Sequence, residues 1–164
     1  MMKTSLKHIS TALTFVIAMS WVTAQDFTFQ VNLVGGAGET VLTAGFSPDA
    51  TDGYDDGIDS YAPPAPPPPS FDAALSWGGD RYYTQILAGD TDLSEHVYDI
   101  QLQYDTDNLI TVSWDNSGFS DLMTSCVLQD AFGGVFVNID MLTGEGFANP
   151  AFASWDGSVL SLFN

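Results

Sequence analysis

From Asp26 onward the chain alternates apolar and polar residues. Phe27, Phe29, Val31 and Leu33 fall on one face and Thr28, Gln30 and Asn32 on the other, the period of a half-buried strand. Gly35-Gly36-Ala37-Gly38 predicts a turn into a second strand over Thr40–Phe46, giving a hairpin. Phe71–Trp77 and Arg81–Leu87 flank Gly78-Gly79-Asp80, a second hairpin signal. His96–Tyr104 sets Val97, Asp99, Gln101 and Gln103 against Tyr98, Ile100, Leu102 and Tyr104. Asp105–Asn108 is expected to turn it back into the β-branched run Leu109–Trp114. Strands over Leu122–Leu128, Val135–Met141 and Ser158–Phe163 complete the set, and no long stretch carries the helical period. About nine or ten short, evenly spaced strands predict an all-β fold, an antiparallel β-sandwich of jelly-roll type. The Tyr104–Trp114 hairpin and the Val135 strand are apolar enough to belong in the core. The first and last strands lie beside the chain ends and are expected at sheet edges, where unpaired N–H and C=O groups invite a neighbour.

One stretch breaks the alternation. Asp49–Pro69 reads DATDGYDDGIDSYAPPAPPPP: aspartates among Gly53 and Gly57, then proline interrupted only by Ala65. Proline enters neither a sheet interior nor a helix, so Pro63–Pro69 predicts a stiff polyproline strap, roughly 20 Å long at the polyproline II rise. The aspartates Asp52, Asp55, Asp56 and Asp59 have two readings. Their oxygens converge on a hard cation, Ca²⁺ above all, or they cap backbone N–H groups in tight turns. An EF-hand does not fit, because with Asp52 as first ligand Tyr54 takes the third position and Pro63 the place of the bidentate glutamate.

The start of the chain changes the setting. Lys3, Lys7 and His8 precede the apolar run Leu13–Val22, and Val22-Thr23-Ala24 is a small-residue cleavage site. Residues 1–24 are therefore expected to be a signal peptide and residues 25–164 a single exported domain, extracellular, on the cell surface or periplasmic, with no membrane insertion of the mature chain. Both lysines leave with the leader, so Arg81 alone stands against 21 acidic residues. Such a charge disfavours nucleic acid and anionic lipid as partners. Arg81 is expected to form a structural ion pair with a loop aspartate. Cys126, the one cysteine, rules out an internal disulfide and reads as a small buried residue.

The segment Gly45–Trp77 carries a further signal. Gly45, Pro48, Ala50, Thr51, Asp52, Gly53, Tyr54, Asp55, Gly57 and Asp59, then Pro63, Pro64, Pro66 and Pro67, resemble a recurrent segment of secreted and surface proteins of Bacteroidetes-type bacteria. Its pattern is roughly G-x-x-P-x-A-T-D-G-[FY]-D-x-G-x-D, then P-P-x-P-P and a strand. Ile110–Ser117, ITVSWDNS, is similar to a segment that follows in such domains. The resemblance implies an extracellular β-sandwich module and no reaction. The C-terminal sorting domain usual in such proteins is not expected here.

Chemistry finds little to hold. His96 is the one histidine beyond the leader, no G-x-S-x-G occurs, and no pair of acids stands out, so no enzyme is expected and His96 reads as structural. Trp77, Tyr82, Tyr83 and Trp155 suggest an aromatic platform for polysaccharide, with packing as the competing role. Two functions follow. One is an exported structural protein that self-assembles through edge-strand addition, alone or with other surface components, into an extracellular fibre or surface layer stabilised by Ca²⁺. The alternative is a carbohydrate-binding module using surface Trp and Tyr.

Overall fold

A computed structural model describes residues 26–36, 38–90, 94–105, 110–143, 147–148 and 158–163. In chain order the elements are β1 (Phe27–Gly35), β2 (Gly38–Ser47), β3 (Ser60–Tyr61), β4 (Asp72–Trp77), β5 (Asp80–Ala88), β6 (Glu95–Gln103), β7 (Ile110–Trp114), α1 (Phe119–Leu122), β8 (Ser125–Asp130), β9 (Asn138–Asp140), β10 (Phe147–Ala148) and β11 (Ser158–Phe163). The fold is all-β, as the alternation requires. The signal-peptide segment 1–24, the Asn108 turn and Trp155 lie outside the described residues. Among the described residues no helix is long and apolar enough to cross a membrane.

The strands form one hydrogen-bonded path, β10-β7-β1-β2-β5-β4-β6-β11-β8-β9, with β3 attached to β5. The path bends at β5. Tyr82 pairs with Leu75 of β4 and Tyr61 of β3, while Thr84 pairs with Ser60 of β3 and Thr43 of β2. A strand has two edges, so with β3 on one of them, β4 and β2 share the other in succession. A strand that changes partner in this way makes a corner between two layers. The β2–β5 contact is parallel, so the sheet is mixed and departs there from the all-antiparallel expectation.

The bend folds the path over a single core. Phe27, Phe29, Val31 and Leu33 of β1 pack in one cluster with Tyr98 and Ile100 of β6 and Cys126 and Leu128 of β8. The Tyr98 hydroxyl donates to the Gly45 carbonyl, tying β6 to β2 across that core. The opposite rim is closed by side chains: Trp114 Nε1 donates to Met141 O at 3.1 Å, and Asn116 Nδ2 donates to Leu142 O at 3.1 Å. His96 stacks on Phe46 with ring centroids 5.1 Å apart. Gly89 makes room for that pair, since a Cβ there would stand 2.7 Å from the imidazole. Cys126 is fully buried, and burial, with Asp140 nearby, pushes its thiol up to about 12.

Three expectations are corrected. β6 does not turn back onto β7: it pairs with β4 and β11, and β7 pairs with β1 and β10. The intervening Asp105–Asn108 has no glycine for a two-residue hairpin turn, and β1, β2, β5 and β4 stand between the two strands in the path. The last strand is not an edge, and the first is one only in part. β11 lies between β6 and β8 along its length, whereas β1 pairs with β2 throughout but with β7 only over Val31–Gly35, so among the described residues Phe27–Gln30 have a strand partner on one side alone; the short β9 and β10 end the path. Finally, the Val135–Met141 stretch reaches the core only in its later part: Val137 and Met141 join the cluster and Ile139 packs against it, but Val135 is 71% exposed and the strand begins only at Asn138. Asp130 takes the N–H groups of Phe136 and Val137, curling the backbone out of strand geometry just where alternation suggested a strand.

The proline strap is realised over its first part only, because Ser70 N donates to Pro67 O at 3.3 Å and the chain turns at 67–70. Ala62 N donates to Arg81 O at 2.8 Å, and the Arg81 guanidinium bonds both Pro63 O and the Asp72 carboxylate. Further on, Gln103 Nε2 donates to Pro66 O at 2.9 Å and Ser70 O at 2.8 Å. The prolines therefore run from β5 to β6 across the start of β4, held by one arginine and one glutamine. The ion pair expected of Arg81 exists, but its partner begins β4 and is not part of the aspartate loop.

Candidate functional site

The aspartate loop is built by its own carboxylates. Asp55 Oδ2 accepts from Thr51 N at 2.6 Å, and Gly53 N donates to Thr51 Oγ1 at 3.1 Å. Asp59 is 7% exposed and works in two directions. Its Oδ2 accepts from Asp55 N at 2.9 Å, while Oδ1 reaches across to Ile86 N of β5 at 2.8 Å. A buried carboxylate on backbone N–H groups makes short, charge-assisted bonds, so the loop is pinned to the sheet. Asp52 and Asp56 face solvent. Of the four residues expected as metal ligands, two are engaged with backbone N–H groups. Among the described residues no three His, Cys, Asp or Glu side chains are close enough to hold an ion.

What the pinned loop presents is aromatic. Tyr54 stacks on Tyr61 with centroids 4.3 Å apart and planes 11° from parallel, and Tyr61 stacks on Tyr82 at 5.0 Å. The pile rises from the buried Tyr82 through Tyr61, 51% exposed, to Tyr54, 40% exposed. Register fixes its lower part. Tyr61 and Leu75 both pair with Tyr82, and Trp77 pairs with Asp80. Cross-strand partners share a face and residues two apart repeat it, so Trp77, 42% exposed, stands on the Tyr82 face one step along. Burial first, and Tyr61 second, push the Tyr82 phenol up to about 12. Asp80 and Asp59 act in the same direction; Asp80 is the cross-strand partner of Trp77, and Asp52 and Asp56, two residues either side of Tyr54, are exposed.

The sequence-predicted aromatic residues therefore part company. Trp77 and Tyr82 share the site, with Tyr82 as its base. Tyr83 is half-buried against the core, and Trp155 lies outside the described residues. Tyr54 and Tyr61, the two most prominent members, were missed. A signal existed for Tyr54, which stands at the third position, where an EF-hand alignment from Asp52 fails; Tyr61 carried none. His96 is buried against Phe46 and does not enter the site. Comparison with protein-family models, with curated proteins and with solved structures finds no match to this chain.

Proposed function

We propose that the protein is an exported, non-catalytic binding module that takes a neutral polysaccharide on the Tyr54–Tyr61–Tyr82 pile and Trp77. The observation that carries the reading is the pile itself: exposed aromatic rings on a loop that Asp55 closes at Thr51 and Asp59 holds to β5. Sugar rings have apolar C–H faces that pack on aromatic faces, and hydroxyls that donate to carboxylates. Asp80, paired across strands with Trp77, offers such an acceptor, and the exposed Asp52 and Asp56 flank Tyr54 in the sequence. Tyrosine and tryptophan lose little side-chain entropy when a ligand orders them, and these rings are already stacked. The net charge of −18 selects against uronic-acid polymers and sulfated glycans. The leader and the extracellular setting implied by the Asp52–Asp59 motif fit a partner found outside the cell.

Titration of the intact protein with soluble neutral and anionic polysaccharides, followed by tryptophan fluorescence and calorimetry, tests this. The expected result is saturable binding of a neutral polymer, weakened at least tenfold by Tyr54→Ala and Tyr61→Ala together with the fold retained by circular dichroism. Failure of every neutral polymer to bind, or binding indifferent to both tyrosines, overturns it.

A further inference from the structure

The incomplete pairing of β1 leaves an edge that nothing guards. Phe27–Gln30 pair with β2 on one side and with no described strand on the other, because β7 stops at Trp114, opposite Val31. The N–H and C=O groups along such an edge are a template for another strand, and charge or a covering loop is the usual defence. The other one-sided stretches of four residues or more have one. Gly38–Leu42 of β2 carries Glu39, Glu95–Tyr98 of β6 carries Glu95, and in Gln85–Ala88 of β5 the Ile86 N–H is taken by Asp59. Phe27–Gln30 has neither a charge nor a proline. Beside it lies a groove of about 610 Å³, lined by these four residues and by Asp115 and Ser117 just past the end of β7.

The sequence of the edge selects what fills it. Phe27-Thr28-Phe29 reads the same in both directions. Two antiparallel copies of one strand are related by a two-fold axis, and cross-strand partners share a face of the sheet. Phe27 and Phe29 are buried while Asp26, Thr28 and Gln30 are exposed, so the axis passes through a residue and not between two. On Phe29 it would set Phe27 against Val31, a place already held by Trp114. On Thr28 it uses Asp26–Gln30 alone and stops one residue short of Val31. Phe27 then meets Phe29 twice on the buried face, and Thr28 meets its own copy on the outer one, pairings of the kind that strengthen sheets. At each end Asp26 meets Gln30, a carboxylate opposite an amide donor. The two Asp26 side chains stand four residues apart, roughly 13 Å along the strand. A foreign strand would have to supply this pattern; a second copy supplies it by symmetry.

We infer that two copies join β1 to β1 at this edge, Asp26–Gln30 of each extending the sheet of the other. The contact is isologous and uses up the edge in both copies, so it closes at two. Self-assembly expected of both terminal strands thus falls to half of one of them and yields a dimer in place of a fibre. The acids brought nearest are Asp26 of one copy and Asp115 of the other, since Asp26 faces Gln30 and Asp115 follows Trp114, the partner of Val31. Repulsion between them opposes the pair and is relieved by salt.

Multi-angle light scattering and sedimentation of the protein lacking residues 1–24, which keeps every described residue, provide the test. The mass is expected to double with concentration, to stop there, and to double at lower protein concentration when NaCl is raised. Thr28→Lys and Thr28→Glu each set like charges on the axis. Each alone is expected to need at least tenfold more protein to pair, with an unchanged circular dichroism spectrum. Mixed in equal amounts they are expected to regain the dimer, because lysine then faces glutamate. Thr28→Cys tests the register without a charge. Cα atoms on the axis lie about 4.5–5.5 Å apart, within disulfide reach, and Cys126 is buried. Mild oxidation is therefore expected to link this variant into covalent dimers and to leave Val41→Cys, exposed on β2, unlinked. A wild type monomeric at every concentration, its edge taken by a peptide of another protein or by nothing, overturns the proposal. So does growth past two copies, a dimer that Thr28→Lys leaves intact, or a mixture that forms none.

Discussion

Two loops of this protein, 51–59 and 131–137, are organised by the same device and put to opposite ends. In each, an aspartate withdrawn from solvent accepts backbone N–H groups that no strand satisfies. Asp59 divides its oxygens between its own loop, at Asp55 N, and the neighbouring strand, at Ile86 N. The loop is thereby fastened to the sheet, and its tyrosines lie down in a pile on Tyr82. Asp130 spends both oxygens within the next seven residues, on Phe132, Phe136 and Val137. That loop is fastened to itself, and its apolar side chains stand out. What a buried carboxylate does is thus set by the sequence separation of the donors it gathers, local or long-range. In a chain with 21 acids the structural information resides in the few that are buried, while Asp52 and Asp56 in the same loop only carry charge.

The comparison breaks most sharply at Asp130. Replacing it with alanine strands three N–H donors in one turn and removes the centre of the loop, so the melting temperature is expected to fall by roughly 10 °C, read by differential scanning calorimetry. Asp130→Asn, which keeps one acceptor oxygen, is expected to fall about midway. Asp59→Ala loses two N–H acceptances and is expected to cost about 2–3 kcal/mol in chemical denaturation. Hydrogen exchange separates the two: the Asp59 variant loses protection at Ile86, a strand residue, whereas the Asp130 variant loses it at Phe136 and Val137. Loss of protection confined to 51–59 in the Asp59 variant would show that its reach to β5 contributes nothing.

This difference also marks what the sequence could disclose. Alternation located the strands and their inward faces, because Phe27, Phe29, Val31 and Leu33 must be buried whatever the strand order. It could not disclose partners. The β1–β2 and β4–β5 hairpins were legible from glycine turns, but nothing local says that β5 changes partner at Thr84 or that the last strand lies between two others. Val135–Met141 held from Asn138 on and failed at its start for a specific reason: a period of two is also produced by a loop whose N–H groups are taken by a side chain, here Asp130. The site was legible in part. The aspartates gave away the loop, yet their role as N–H acceptors and the pairing of Tyr54 with Tyr61 depend on a strand pairing, Tyr61 with Tyr82, that is made only on folding.

Titration sharpens the comparison at both ends of the pH scale. N–H bonds from Val137, Phe136 and Phe132 outweigh burial and hold the Asp130 carboxyl below the usual carboxylate range. Thr143 and the N–H of Leu142 do the same for Asp140. A depressed folded-state value gives stability that is present above the unfolded value of about 3.9 and lost as pH falls through the folded one. Acid unfolding is therefore expected to begin below about pH 4, with a shallower acid limb in Asp130→Asn. At the other loop the sign reverses. Burial raises Tyr82 to about 12 and Tyr98 higher still. Their contribution is complete below the ordinary phenol value of about 10 and is lost as pH rises above it. Tyr82→Phe is expected to move alkaline unfolding upward, and unchanged alkaline unfolding in that variant would show that the base of the pile is not held neutral by folding.

The smallest effects test the contrast most directly, since they ask whether the two aromatic pairs are alike. Tyr54 and Tyr61 are stacked within 4.3 Å on a loop tied to β5, whereas Phe132 and Phe136 meet edge to face at 5.8 Å on a loop tied only to itself. A double-mutant cycle to alanine, run on the monomer, isolates each coupling. The tyrosine pair is expected to give about 1 kcal/mol, the middle of the range for aromatic pairs, and the phenylalanine pair about 0.5 kcal/mol or less. The ranking follows from what surrounds each pair. Tyr61 is confined between two rings, so removing either neighbour frees it. Phe132 and Phe136 contact each other across open solvent, which already covers most of both. Equal couplings would mean that Phe132 and Phe136 stabilise their own loop as strongly as the tyrosines do theirs, so that an edge-to-face pair in solvent counts for as much as a pile on the sheet.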